Sequence, residues 1–319
     1  MFNISYLRRV FSNLSRNFHL LGKYNLQEDF LSALSNLIQL RDSIINLYFK
    51  TNLEESQPYF DELQYLQSAN CCDMFPYNQI KKISDIAVGL DKHYHLPYVV
   101  HNGKKLFFPE FWNLREVSEK YRYYIERENL LGGNYTSKAP HQYQTESFKI
   151  EINDIFLDIG CAEGLVALDC VETAQKIYLF EADPIWEKPL KATFAPYKDK
   201  VQIIHKWVGD KDSPISTTLN SSVQEDKGKT FFVKMDIEGA EELVVKGNAE
   251  FFKNNSIKIA CCTYHKKEHF ENLSKIFNDW GYSLSSSDGY MLCFMDKNFS
   301  PPYFRKGIIR AANINHFNK

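Results

Sequence analysis

Several common features are missing from this chain of 319 residues, and each gap excludes something. No run of 18 apolar residues occurs, so nothing reads as a membrane-spanning helix. There is no excess of positive charge. Lys+Arg total 38 against 40 Asp+Glu, a net charge of −2, so no nucleic-acid partner is expected. C-x-x-C pairs are absent. The 7 cysteines include the adjacent pairs Cys71-Cys72 and Cys261-Cys262, an odd count at irregular spacing that argues for reduced thiols in a cytoplasmic protein. No internal repeat or low-complexity tract stands out. What remains is ordinary globular material, 44% hydrophobic and 24% charged, long enough for one large domain and a smaller one.

Ahead of Glu28 there is no acid, while Arg8, Arg9, Arg16 and Lys23 supply positive charge. This reads as a terminal helix with solvated charges, or as a basic amphipathic helix resting on a membrane surface. It lacks the apolar core of a secretory signal.

Apolar residues recur at helical spacing over 28–50, and residues 51–90 suggest one or two further helices. Near 97–108 two β-rich runs flank Asn102-Gly103, the favoured type I′ turn of a hairpin. Residues 110–129 read as helix, stopped by Gly132-Gly133. We therefore read 1–135 as a mostly helical N-terminal region and 136–319 as a second domain of alternating strands and helices. Strands are expected near 154–160, 176–182, 201–208, 230–237, 257–264, 282–286 and 290–295. The short turn at Asp288-Gly289 makes the last two antiparallel. The fold class is α/β: a doubly wound, mainly parallel, Rossmann-like sheet of seven strands with an antiparallel last strand.

Within it, FLDIGCAEG (Phe156 to Gly164) is an apolar strand ending in an acid and a glycine turn. Roughly 20 residues after Asp158 a second strand ends in Glu181, where an acid takes ribose hydroxyls. The G-x-G-x-x-G of a dinucleotide site is missing. Glu163 also stands where a pyrophosphate would be repelled, whereas S-adenosylmethionine (SAM) has no phosphate and carries a sulfonium and an ammonium. SAM is the expected cofactor; an NAD(P)-dependent oxidoreductase is the alternative.

Together FLDIGCAEG, FEADP (Phe180 to Pro184) and KMDIEGAE (Lys234 to Glu241) resemble the loop, second-strand and fourth-strand strings of FkbM-type SAM-dependent methyltransferases, over about residues 150–305. The resemblance implies a class I methyltransferase fold and an O-methyltransferase acting on a small-molecule or saccharide hydroxyl, in surface-polysaccharide or secondary-metabolite synthesis. Asp158, Gly160, Glu163, Gly164, Glu181, Asp183 and Asp236 are the cofactor-binding candidates. Asp183 suits a helix cap equally well. A degenerate, non-catalytic module of this fold would need a broken cofactor acid, and none of these acids is missing.

Three carboxylates, Asp236, Glu238 and Glu241, crowd the end of the fourth strand and call for a cation: the sulfonium, a substrate group or Mg²⁺. No metal ligands are assigned. A sugar hydroxyl must also lose its proton, best to a base whose pKa lies near ~7. His265, closing the fifth strand in CCTYH, is the first candidate, with Asp236 and Glu238 beside it; His141, in the loop before the second domain's first strand, is the second. The string Ser300-Pro301-Pro302-Tyr303 looks like that of amino-methyltransferases but follows the expected seventh strand instead of the fourth, so it reads as a turn.

Overall fold

The computed structural model describes residues 26–50, 56–226, 228–294 and 300–313. The basic stretch with Arg8, Arg9, Arg16 and Lys23 lies outside the described residues. A long helix, Leu26–Lys50, forms where the apolar stripe predicts one, and Phe60–Ser68 packs on it through Ile44, Tyr48, Leu63 and Leu66. Neither it nor any other helix among the described residues is long and apolar enough to cross a membrane.

Three antiparallel strands follow: β1 (Val88–Leu90), β2 (Pro97–His101) and β3 (Lys104–Phe107). Asn102 and Gly103 between β2 and β3 both have positive φ, 48° and 78°, as a type I′ turn demands. The helix Leu114–Arg122 starts on a full capping box between Asn113 and Glu116 and runs straight into a π-turn, Tyr123–Arg127.

The remaining strands are β4 (Asp154–Ile159), β5 (Lys176–Phe180), β6 (Val201–Ile204), β7 (Trp207–Val208), β8 (Ser216–Thr217), β9 (Thr230–Met235), β10 (Ser256–Cys262), β11 (Ser283–Ser286), β12 (Met291–Leu292), β13 (Phe304–Arg305) and β14 (Ile308–Ala312). Seven of them make one sheet in the order β11-β14-β10-β9-β4-β5-β6. Neighbours among β10, β9, β4, β5 and β6 are parallel, and β14 is antiparallel to both β10 and β11. Every residue of β4 is buried, as a strand covered on both faces requires. Side chains alternate between layers: Phe156 and Phe232 join the helices Leu165–Asp169 and Glu187–Phe194. Leu157 and Val233 face Glu241–Gly247, Ala249–Asn254 and His269–Asp279. Val99, Leu106, Val117 and Tyr121 pack into the first of these layers, so the β1–β3 sheet and its helix share that core. This is the expected class I methyltransferase arrangement.

Two expectations change. The antiparallel strand is β14, which slots between β10 and β11; residues 290–295 do not pair with 282–286. All five residues of β14 are buried, which suits an interior position. Met291 and Leu292 instead pair with β13 and pack against Phe75 and the N-terminal helices. The expected strand 201–208 is split, because Lys206 turns back onto Ile204 and Trp207–Val208 pairs with β8. Ser300–Tyr303 thus precedes the antiparallel strand, and Tyr303 packs edge-on against Tyr48.

Candidate functional site

At the carboxyl end of β4 the chain turns through three positive φ values, at Gly160 (73°), Ala162 (45°) and Gly164 (79°). Gly160 has no alternative: a Cβ there would lie 2.0 Å from the Asp236 carbonyl oxygen. Glu181, ending β5, ties the turn down. Its Oε2 accepts from the Ala162 N–H at 2.9 Å and its Oε1 from the Asp183 N–H at 2.8 Å. Asp183 is exposed and caps the turn Pro184–Trp186 by accepting from the Ile185 N–H at 3.0 Å.

Beneath the turn, Asp158 is 1% exposed. Lys234 Nζ donates to its Oδ1 at 2.8 Å and to the Gly160 carbonyl at 2.9 Å, while Oδ2 has no hydrogen-bond partner. Burial lifts the Asp158 carboxyl above its ordinary value against the pull of Lys234. Lys234 was missed in the sequence, although a lysine amid the apolar residues of a strand was the available signal. Glu163 is buried beside Tyr124, and burial pushes its carboxyl up to about 7.

This turn opens on a cavity of about 230 Å³, walled also by Phe75, Tyr124, Glu128, His141, Tyr143, Lys234, Asp236, Glu238 and Tyr264. Tyr143 Oη donates to Asp236 Oδ2 at 2.8 Å, and Tyr264 Oη donates to Oδ1 at 3.3 Å. Although only partly exposed, the Asp236 carboxyl is held far below the usual carboxylate range by His141, Lys234 and His265. His141 lies over the ring of Phe75, with Nε2 3.3 Å from Asp236 Oδ2 and Nδ1 3.3 Å from Glu128 Oε2. Burial pulls the imidazole down, but Asp236 and Glu128 outweigh it and lift it to about 9.

His265 faces elsewhere. Its Nδ1 lies 2.9 Å from Glu241 Oε1, and its Nε2 lies 3.5 Å from Asp236 Oδ1 and 3.6 Å from Glu238 Oε2. It does not line the cavity. Glu241, fully buried, accepts from the N–H groups of Ile237 at 3.0 Å and Gly239 at 3.4 Å. It thereby closes the loop that holds Glu238 at a strained φ of 56° with its side chain in solvent. The structure brings Gly160, Glu163, Asp236, Glu238 and His141 to one cavity, with Asp158 buried beneath the turn and Glu181 behind it. Phe75, Glu128 and Tyr143 carried no signal in the sequence.

A family model for the methyltransferase FkbM domain matches residues 76–284. Among solved structures, a methyltransferase FkbM from Methylobacillus flagellatus KT is similar over 51% of this chain and 44% of its own, at 19% identity and a TM-score of 0.40. The chain thus spans less than half of that protein. A precorrin-6y C5,15-methyltransferase from Geobacter metallireducens GS-15 aligns over 52% of this chain and 82% of its own, at 11% identity and a TM-score of 0.35. An rRNA methylase from Streptococcus thermophilus aligns over 51% and 86%, at 9% identity and a TM-score of 0.32. No curated protein matches. With 76–284 covered by the family model, the chain belongs to the FkbM methyltransferase family.

Proposed function

We propose that the enzyme is a SAM-dependent O-methyltransferase acting on a hydroxyl of a small molecule, a saccharide above all. Such a step belongs to surface-polysaccharide or secondary-metabolite assembly. One observation carries the reading: a single cavity is walled both by the turn Gly160–Glu163 and by the His141–Asp236 pair. Aromatic faces of Phe75, Tyr124 and Tyr264 beside carboxylates suit the C–H face and hydroxyl edge of a sugar ring.

The residues fit the cofactor. Gly160 is tied against the Asp236 carbonyl on one side and lines the cavity on the other, where its backbone can approach a ligand. Buried Asp158 Oδ2 lacks a partner and suits an ammonium. Each Glu181 oxygen spends one acceptor position on the turn and keeps another for the ribose hydroxyls. Gly164 lets the helix start close to the adenosine side, Glu163 favours a cation in the cavity, and Asp183 stays a cap. When bound, SAM supplies a methyl group already activated on a sulfonium.

In its neutral form, which gains population as pH rises toward about 9, His141 Nε2 accepts the acceptor hydroxyl's proton. Glu128 at Nδ1 orients the ring and stabilises the imidazolium, so turnover should climb toward that pH. His141 is placed ahead of His265 because it lines the cavity. Asp236 and Glu238 bias the rim toward cations. The two-part reading of the chain, 1–135 and 136–319, is kept, with Phe75, Tyr124 and Glu128 of the first part completing the acceptor pocket.

Calorimetry with SAM and with NADH, followed by transfer of labelled methyl to saccharides, nucleotide sugars and rRNA fragments, tests this. SAM binding and label on a saccharide oxygen are expected; label confined to RNA or to nitrogen overturns the reading.

A further inference from the structure

Five buried side-chain atoms without a hydrogen bond lie together below the rim of the cleft. They are both ring nitrogens of His265, both of His269, and Glu241 Oε2. Glu241 is 0% exposed and His269 1%, and the His265 side chain is 9% exposed. Buried polar groups in folded proteins find partners, so the orphaned His265 and Glu241 atoms beside Asp236 point to a ligand that would occupy the space between them. The neighbouring carboxylates come near without alignment. Glu241 Oε1 is 2.9 Å from His265 Nδ1 and Glu241 Oε2 3.4 Å from His269 Nδ1, yet neither completes a hydrogen bond to the ring.

One donor atom from each of Asp236, Glu241 and His265 lies within 4.8 Å of the other two. A cation with ligands at roughly 2.0–2.2 Å draws its donors to about 3–4 Å apart, so a small closure completes the set. Charge points the same way. Asp236, Glu238 and Glu241 converge here, while Lys234 is paired with Asp158 and Lys266, beside Gly239, is exposed to solvent. One imidazole with two carboxylates suits a transition cation better than Mg²⁺, which prefers an octahedron of oxygens.

We propose that Asp236, Glu241 and His265 bind a divalent transition cation of the Mn²⁺ or Zn²⁺ kind, with His269 held behind Glu241. The site clamps the loop 237–239, because Glu241 also holds the Ile237 and Gly239 N–H groups. It touches the cavity through Asp236 and stands whatever acceptor the enzyme methylates.

The test uses the full chain, stripped with a chelator, without SAM, and MnCl₂ as the probe. Mn²⁺ is chosen because the free thiols would compete for Zn²⁺. Calorimetry should show one equivalent bound, with affinity reduced by about 10–100-fold in His265→Ala and in Glu241→Gln. Anomalous scattering from Mn²⁺-soaked wild-type crystals should place the ion between Asp236 and His265, which decides the matter even if both variants misfold. No binding by the wild type, an ion found elsewhere, or unchanged affinity in folded variants overturns the proposal. A parallel SAM titration separates this outcome from failure of the methyltransferase reading.

Discussion

The wall of the cleft that carries Gly160 and Glu181 and the wall that carries His141 and Glu128 are held in place differently. The first is local. Two adjacent parallel strands end side by side, a glycine turn fills the space between them, and one carboxylate pins two backbone N–H groups. The second gathers Phe75, Tyr124, Glu128 and His141 from separate segments. Its tie is Arg127, which donates to Asp73 Oδ2 at 2.6 and 3.0 Å, to the Tyr77 carbonyl at 2.7 Å and also to the Phe75 carbonyl. The loop before His141 presses on Gly307, where a Cβ would lie 1.9 Å from the Pro140 carbonyl oxygen. A wall made of backbone turns resists most substitutions, whereas one hung on a buried ion pair is lost with one residue.

The largest test removes the second wall outright. A chain beginning at residue 136 loses Phe75, Tyr124 and Glu128 and bares the layer that Val99, Leu106 and Val117 cover. It should aggregate or lose turnover; full activity from a soluble fragment would make the N-terminal part an appendage. His141→Ala should cut turnover by about 10²–10⁴-fold with SAM affinity near normal. If His141→Ala keeps full turnover, His141 is not the base.

Arg127→Met leaves the nearly buried Asp73 carboxylate without its partner, a cost of about 3–5 kcal/mol. The urea midpoint should fall accordingly and the acceptor KM should rise; an unmoved midpoint would remove Arg127 as the tie. Glu181→Ala attacks the first wall and should weaken SAM binding by about 1.5–3 kcal/mol in calorimetry, with the acceptor pocket unaffected.

The smallest effect concerns Glu163. Its carboxyl, raised to about 7 by burial, still holds a proton below that pH, and a bound cation favours the ionised form. SAM affinity should therefore rise with pH through 7, by up to about tenfold between pH 6 and 8, with proton release on binding. Buffers of different ionisation enthalpy measure that release. Glu163→Gln should flatten the profile, and an unchanged slope would take Glu163 out of the cofactor's surroundings.

The local wall was legible in the sequence and the assembled wall was not. FLDIGCAEG, Glu181 and Asn102-Gly103 act through turns whose backbone angles depend on a few adjacent residues, so their residue types announce them. The pairing of β14 depends on a partner more than forty residues away, and local spacing favoured the nearer segment 290–295, which differs in what it packs against. His141 could be named as a candidate, but its partners could not. Glu128 and Tyr143 reach it through the π-turn at Tyr123–Arg127 and the 143–236 contact, neither of which leaves a local pattern.

The position of β14 also bears on the order in which the molecule folds. Its residues pair with β10 on one side and β11 on the other, so those two strands lie next to β14 and never to each other. Until the segment around residue 308 docks, β10 offers an unpaired edge with Ile259 and Cys261 on it, and β11 has no place in the sheet. Assembly of the sheet from β6 through β10 can proceed without it, but closing the far side waits on a long-range pairing. That waiting interval is the stage at which the chain is most exposed to sticking to other chains edge to edge, and chaperone demand should concentrate there.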